Sequence, residues 1–162
     1  MLQKSTEASK SILKYHYEGS KCNSKILIAE DLDAIASGVE KALRNMADEI
    51  THVRYCDDAW LKLKKAALDG EPYDLLITDL SFKPDHRKVE ITGGEELIKT
   101  IRKDQIPCKI IVFSIEDRAM KTQNFFDEYT IDAYVLKGRN DMVELPKAVR
   151  SVSLGDKDLS DE

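Results

Sequence analysis

The sequence predicts one α/β domain with a five-stranded parallel sheet covered by helices on both faces. Two observations predict this fold. Five short apolar segments recur along the chain, and stretches with helical spacing of apolar residues separate them. Parallel strands need such crossovers, and burial on both faces explains why the strands are continuously apolar. For one domain of 162 residues, we expect the doubly wound strand order 2-1-3-4-5.

The predicted strands are runs of four to six residues rich in aliphatic and β-branched side chains. They are KILIA (25–29), THVRYC (51–56), LLIT (75–78), KIIVF (109–113) and DAYVL (132–136). The third strand has no charged residue, which predicts burial on both of its faces.

The predicted helices follow these strands, and each carries apolar residues on one side. The first begins at Asp33 and runs through about Asn45, the second opens at Asp57 and Asp58, and the last begins at about Asp141. Their expected apolar residues are Ile35, Val39, Ala42 and Leu43; Trp60, Leu61, Leu63 and Leu68; Leu97, Ile98 and Ile101; a weaker set through Phe125 and Phe126; and Val143, Leu145, Ala148, Val149 and Val152. Pro146 fits only in about the first turn of the last helix.

Composition excludes several classes of function. A hydrophobic content of 42% with 34% charged residues is typical of a globular protein, and the net charge of −5 provides no general basic field for nucleic acid. No apolar stretch has the length of a membrane span. Three separated cysteines suit a reducing cytoplasm, with Cys56 and Cys108 as small core residues. We expect residues 1–23 to form a flexible lead-in.

Polar residues end four of the five predicted strands. Glu30 and Asp31 follow the first, Asp79 the third, Ser114 the fourth and Lys137 the fifth. Each alone has an ordinary explanation, such as a turn residue or a solvated charge. The carboxyl ends of parallel strands share one edge of the sheet, however, so we expect these five side chains to meet.

Three clustered carboxylates repel one another unless a cation lies among them. Ligands that are oxygen only, without Cys or His, favour a hard ion, most plausibly Mg²⁺. Lys137 supplies a compact positive charge for phosphate, and the Ser114 hydroxyl can donate to a phosphoryl oxygen. The set therefore suits transfer of a phosphoryl group to a carboxylate, with Asp79 as the nucleophile.

In these positions the chain resembles the response-regulator receiver family of two-component signalling, whose fold is flavodoxin-like. In this family an acidic pair follows the first strand, an aspartate the third, Ser or Thr the fourth and lysine the fifth. The resemblance covers residues 24–155. It implies that Asp79 accepts phosphate from a sensor histidine kinase or phosphotransfer protein. It implies that the catalytic residues are Asp79, Ser114 and Lys137. It implies that Mg²⁺ is held by Asp31, Asp79, the Ser81 carbonyl and, through water, Glu30. It also implies that Ser114 and Tyr134 act as a switch pair.

The C-terminal stretch resembles NarL/LuxR-type receivers, in which Lys-Gly follows the fifth strand and G-x-x-x-L-S-x-E follows the last helix. Here that stretch is Gly155 to Glu162. The resemblance divides the chain into a receiver domain at 24–153 and a linker beginning at 154–162. It implies a phosphorylation-dependent homodimer and contact with DNA only through an absent helix-turn-helix domain. The sequence leaves open whether the chain is truncated or stands alone.

The chain departs from the family pattern beside Asp79 and beside Ser114. The loop at 82–93 is long and strongly charged, Phe82 replaces a common methionine, and Pro84 is displaced by one position. We interpret this loop as a surface insertion and leave a functional lid open. Ile115 is bulkier than usual and is expected to restrict access by phosphodonors.

Two other functions remain open at this point. A Mg²⁺-dependent phosphatase would also form an aspartyl phosphate, but such enzymes usually place a second acid two residues on, where this chain has Ser81. A phosphate-independent interaction module would keep the fold without needing Asp79 as an acceptor. The intact carboxylates and Lys137 argue against that module.

Overall fold

The computed structural model of the protein describes residues 25–116 and 127–154. The strands and helices with defined bounds are β1 (Lys25–Ala29), α1 (Asp33–Leu43), β2 (Glu49–Val53), α2 (Cys56–Leu68), β3 (Leu75–Thr78), α3 (Gly94–Lys103), β4 (Lys109–Ser114), β5 (Ala133–Leu136) and α4 (Asp141–Leu154). The predicted lead-in, the helical pattern through Phe125 and Phe126, and the chain beyond residue 154 lie outside the described residues. None of the helices in the described ranges is long and apolar enough to cross a membrane.

All five strands are parallel and follow the order β2-β1-β3-β4-β5, which confirms the predicted fold class. In the register of the sheet Ala29 pairs with Thr78, and Thr78 pairs with Val112. The chain therefore leaves β1 and β3 at the same level, side by side. Residues that directly follow these two strands must lie close together.

The sheet separates two apolar layers because alternate side chains of each strand point to opposite faces. One layer packs α2 and α3 on the sheet and includes Leu27, Leu63, Leu76, Leu97, Ile98, Ile101, Ile110 and Val112. The other packs α1 and α4 and includes Ile26, Ile28, Val39, Leu43, Leu75, Ile77, Ile111, Phe113, Leu145 and Val149. These layers bury β3 on both faces, as its composition predicts.

The predicted second strand is placed too late in the sequence. β2 ends at Val53 because its five residues pair with the five residues of β1. Tyr55 is the extended N-cap residue of α2, and the helix begins at Cys56 rather than at Asp57. Asp57 and Asp58 instead occupy the first helical turn, where their negative charge complements the helix dipole.

Three apolar residues assigned to buried helix faces are exposed: Leu61, Leu68 and Val143. On α2 the buried stripe is formed by Cys56, Ala59 and Leu63, so small residues occupy positions where larger ones were expected. Pro146 is the sixth residue of α4 and therefore lies in its second turn, later than predicted.

A close backbone approach fixes the start of α3 beside the end of β3. The Gly94 N–H donates to the Leu80 carbonyl at 3.0 Å. A Cβ atom built on Gly94 would lie 1.9 Å from the carbonyl oxygen of Asp79, and one on Gly93 would lie 3.1 Å from that of Leu80. Only glycine at position 94 lets the helix come this close to the residue after β3.

The substitution Gly94→Ala should destabilise the protein by about 3 kcal/mol, the upper end of the range for overpacking, because the new methyl group meets backbone atoms that cannot rotate away. Urea unfolding measures this change. The matched control is Gly138→Ala, since no atom lies within 4 Å of a Cβ at that position. Equal stability of Gly94→Ala and the parent would contradict the close approach.

Candidate acidic site at the strand ends

Three carboxylates meet at the carboxyl edge of the sheet. Glu30, Asp31 and Asp79 each place an oxygen so that all three oxygens lie within 4.8 Å of one another. Glu30 and Asp79 are 2% and 6% exposed, so they belong to a buried site rather than to a solvated acidic surface. The pairing of β1 with β3 brings them together, as the strand order predicts.

Lys137 joins the two buried carboxylates. Its Nζ lies 2.7 Å from Glu30 Oε2 and 2.7 Å from Asp79 Oδ2, and its side chain is only 10% exposed. The Lys137 N–H donates to the Ser114 carbonyl at 2.8 Å, which ties this residue to the end of β4. One ammonium group thus compensates two carboxylates drawn from neighbouring strands.

Burial and hydrogen bonding shift the pKa values of Glu30 and Lys137. Burial raises the pKa of Glu30, and the hydrogen bonds from Lys137 and the Leu32 N–H offset only part of that increase. Burial by itself would lower the pKa of Lys137, but its hydrogen bonds to Asp79 and Glu30 outweigh that effect and raise it. Lys137 therefore stays positively charged in the site.

Backbone groups hold the carboxylate of Asp79 in one orientation. Asp79 Oδ1 accepts from the Leu80 N–H at 2.7 Å and from the Ser81 N–H at 3.4 Å. Its other oxygen, Oδ2, faces Lys137. Because both oxygens are engaged, the side chain is oriented before any ligand arrives.

Sequence reasoning missed two contacts that support the site. The His52 ring lies with Nε2 2.7 Å from the Glu30 carbonyl, which ties the end of β1 to β2. Glu30 Oε1 also accepts from the Leu32 N–H at 3.1 Å. His52 is the fourth residue of β2, and its position could have revealed this contact only with the correct strand bounds.

Ser114 and Tyr134 are linked through Glu116 rather than through the carboxylates. The Glu116 N–H donates to Ser114 Oγ at 3.2 Å, and the Tyr134 hydroxyl donates to the Glu116 carbonyl at 2.6 Å. The Ser81 hydroxyl donates to Glu116 Oε1 at 2.5 Å. Glu116 therefore connects the segments that follow β3 and β4 with β5.

Ile115, between Ser114 and Glu116, is 73% exposed.

The donor set fits a hard divalent cation. Every group in the cluster is a carboxylate, and the described residues around it add no sulfur or imidazole ligand. Asp31 is less buried than Glu30 and Asp79, which leaves an approach to the cluster from solvent.

The fold and this site define a receiver-like protein, and the solved structures similar to the chain include response regulators and isolated receiver domains. A LuxR-family DNA-binding response regulator from Staphylococcus aureus has a TM-score of 0.64 at 20% identity, over 80% of this chain and 98% of that one. The isolated receiver domain of RcsB from Salmonella enterica serovar Typhimurium, in the presence of the phosphomimetic BeF₃⁻, has a TM-score of 0.62 at 26% identity, over 82% and 90%.

A further similar structure is RcsB from Salmonella enterica serovar Typhimurium bound to a promoter, with a TM-score of 0.65 at 26% identity. The match covers 82% of this chain but 61% of that longer protein. No family model matches the chain, and the search of curated proteins found no match. The protein therefore has the fold of response-regulator receiver domains, and the predicted resemblance to that class is confirmed.

Glu30→Gln should change the dependence of stability on pH. The folded-state pKa of Glu30 lies above its ordinary value of 4.5, so the folded state holds this proton more tightly than the unfolded state does. As the pH rises from 4.5 through that raised pKa, ionisation of Glu30 removes stability from the parent but not from the variant. The difference in unfolding free energy, variant minus parent, should therefore increase across this window and then level off.

Chemical denaturation between pH 4 and 7, with a chelator present, measures the effect. A difference for Glu30→Gln that stays constant or falls with rising pH would contradict the raised pKa.

Proposed function

We propose that this protein is a phosphorylation-dependent receiver in which Asp79 accepts a phosphoryl group from the phosphohistidine of a sensor histidine kinase or phosphotransfer protein. The observation that carries the proposal is the buried contact of Lys137 with both Glu30 and Asp79 at one edge of the sheet. A solvated surface charge would not be only 10% exposed and bound to two acids from other strands. The similarity of the fold to response regulators and their receiver domains supports the same class of function.

The chemistry follows from the arrangement of charges. An oxygen of Asp79 attacks phosphorus, the bond from phosphorus to the donor imidazole breaks, and the imidazole nitrogen keeps the electron pair and takes a proton from solvent. Lys137 would then exchange its contact with Asp79 Oδ2 for one with a phosphoryl oxygen. Ser114 is the hydroxyl donor assigned to a second phosphoryl oxygen.

Mg²⁺ belongs to this proposal because the carboxylate cluster fits it. Asp31 and Asp79 would hold the ion directly, Glu30 through water, and the Ser81 carbonyl would complete the protein ligands. When bound, the ion supplies charge neutralisation between the acids and the incoming phosphoryl group. The chain's own contribution is to keep Asp79 oriented by the Leu80 and Ser81 N–H groups.

Ser114 and Tyr134 would report phosphorylation to the rest of the molecule. Movement of Ser114 towards a phosphoryl oxygen would break its bond with the Glu116 N–H, and Glu116 also accepts from the Tyr134 hydroxyl. A change at Asp79 would thereby reach β5 and shift an equilibrium between two conformations. Homodimerisation, and regulation of transcription through a helix-turn-helix domain, are the outputs we propose from the LuxR-type resemblance.

The same proposal makes the protein a signalling component rather than an enzyme that turns over a small substrate. Ser81, two residues after Asp79, is engaged with Glu116 and offers no second acid for a phosphatase. The assigned functional domain is 24–153, followed by a linker from 154. A cytoplasmic location without membrane contact belongs to this proposal as well.

Asp79→Asn should abolish phosphorylation, because an amide is not a nucleophile towards phosphorus at neutral pH. Incubation with acetyl phosphate and Mg²⁺, followed by intact-protein mass spectrometry, should give a single phosphoryl adduct on the parent and none on this variant. Asp79→Asn keeps the size of the side chain, so circular dichroism should show an unchanged fold.

The control for this experiment is Asp69→Asn, which changes an exposed aspartate at the end of α2 and should be phosphorylated like the parent. An adduct of equal yield on Asp79→Asn would show that another residue is the acceptor. Absence of any adduct on the parent, together with no response to beryllofluoride, would favour the phosphate-independent module.

A further inference from the structure

The long loop at 82–93 is attached to the start of α2 by a cluster of polar contacts. Both Nη atoms of Arg87 donate to the carboxylate of Asp58, at 2.9 and 2.7 Å, and the guanidinium lies 4.2 Å from the centre of the Tyr55 ring. The Tyr55 hydroxyl donates to Asp85 Oδ2 at 2.6 Å. A bidentate contact of this kind restrains the arginine side chain better than a single surface ion pair does.

The far end of the loop is fixed independently. Asp57 accepts from the Glu90 N–H at 3.0 Å and from the Ile91 N–H at 2.7 Å, while Glu96 accepts from the Thr92 N–H at 2.9 Å. These contacts give the last residues of the loop their own anchors. Loss of the Arg87 contacts would therefore loosen the first half of the loop without detaching the second.

The first half of the loop reaches the acidic site. The Lys83 N–H donates to Asp31 Oδ2 at 3.0 Å, so one member of the carboxylate cluster is oriented by the loop backbone. Pro84 follows directly and restricts the backbone, and the Arg87 N–H donates to Asp85 Oδ1 at 2.8 Å. A short, turned segment thus joins the Arg87 anchor to the contact with Asp31.

Phe82 packs against the core layer that α2 and α3 form on the sheet, and polar anchors set the position of the rest of this segment. A cavity of about 300 Å³ lies beneath the loop, with Leu32, Arg54, Cys56 and Phe82 among its lining residues. Beyond Phe82, the segment above this space is not held by close-packed neighbours on that side. The Arg87 and Tyr55 contacts therefore restrain the segment from the end opposite Phe82 and help to keep the Lys83 N–H on Asp31.

We propose that Arg87 is a positioning residue for the cation site: by anchoring the loop on Asp58 and Tyr55, it keeps the Lys83 N–H on Asp31 and orients that carboxylate for a divalent cation. The loop is then part of the site rather than a neutral insertion. This inference rests on the proposed function, since it assumes that Mg²⁺ binds at Asp31. Groups that orient a metal ligand through a hydrogen bond commonly contribute tenfold or more to the affinity for the metal.

The sign of the effect separates positioning from simple electrostatics. Removing a positive charge near an acidic site should by Coulomb's law strengthen the binding of Mg²⁺. A positioning role for Arg87 predicts instead that Arg87→Ala binds Mg²⁺ more weakly. Arg54 provides a matched comparison because it lines the same cavity and pairs with Asp33 at 3.4 Å, while making no anchor for the loop.

Calorimetric titration of the full chain with MgCl₂ at low ionic strength tests the proposal. Arg87→Ala should bind Mg²⁺ about tenfold more weakly than the parent. Tyr55→Phe, which removes only the bond to Asp85 and keeps the ring under Arg87, should weaken binding in the same direction. Arg54→Ala should bind as tightly as the parent or more tightly.

Amide hydrogen exchange of the peptide spanning 82–86 supplies a second readout that does not depend on activity. Exchange in this peptide should be faster in Arg87→Ala, whereas the peptide spanning 89–92 should be unchanged. If the parent binds Mg²⁺ and Arg87→Ala binds it equally well, the role of Arg87 is overturned while the proposed function stands. If the parent binds no Mg²⁺ at millimolar concentrations, the cation site and this inference both fail.

Discussion

Compensation of two buried carboxylates by Lys137 is the interaction on which the site depends. Glu30 and Asp79 come from the ends of adjacent strands, and burial of either charge without a partner would cost several kcal/mol. The Lys137 ammonium group lies 2.7 Å from each, so both buried carboxylates have a positively charged partner. In the proposed function, the Lys137 ammonium group would shift from the carboxylate of Asp79 to a phosphoryl oxygen.

The parallel sheet makes this compensation possible. Pairing of Ala29 with Thr78 brings Glu30 and Asp79 to one level, and the Lys137 N–H is tied to the Ser114 carbonyl at the end of β4. Gly94 then allows α3 to begin against the backbone of Asp79. Backbone geometry therefore fixes the positions of the side chains in the acidic site.

The sequence predicts the sheet and the position of the acidic cluster because buried parallel strands are continuous apolar runs whose ends are easily located. It predicts helix faces less well, since spacing alone does not show that Leu61 and Leu68 point away from the sheet. It misses Glu116 as the link to Tyr134, and it misses the attachment of Arg87 to Asp58. These contacts join segments distant in sequence, and no local pattern of charges specifies them.

Chemical trapping of the acyl phosphate gives the sharpest test of the proposal that Asp79 is the phosphoacceptor. Borohydride reduces an acyl phosphate of aspartate to homoserine, so peptide sequencing of phosphorylated and reduced protein identifies the modified residue. We expect homoserine at position 79 alone, formed only after treatment with a phosphodonor and Mg²⁺. Homoserine at Asp31 or another acid, or phosphate stable to borohydride on a hydroxyl group, would contradict it.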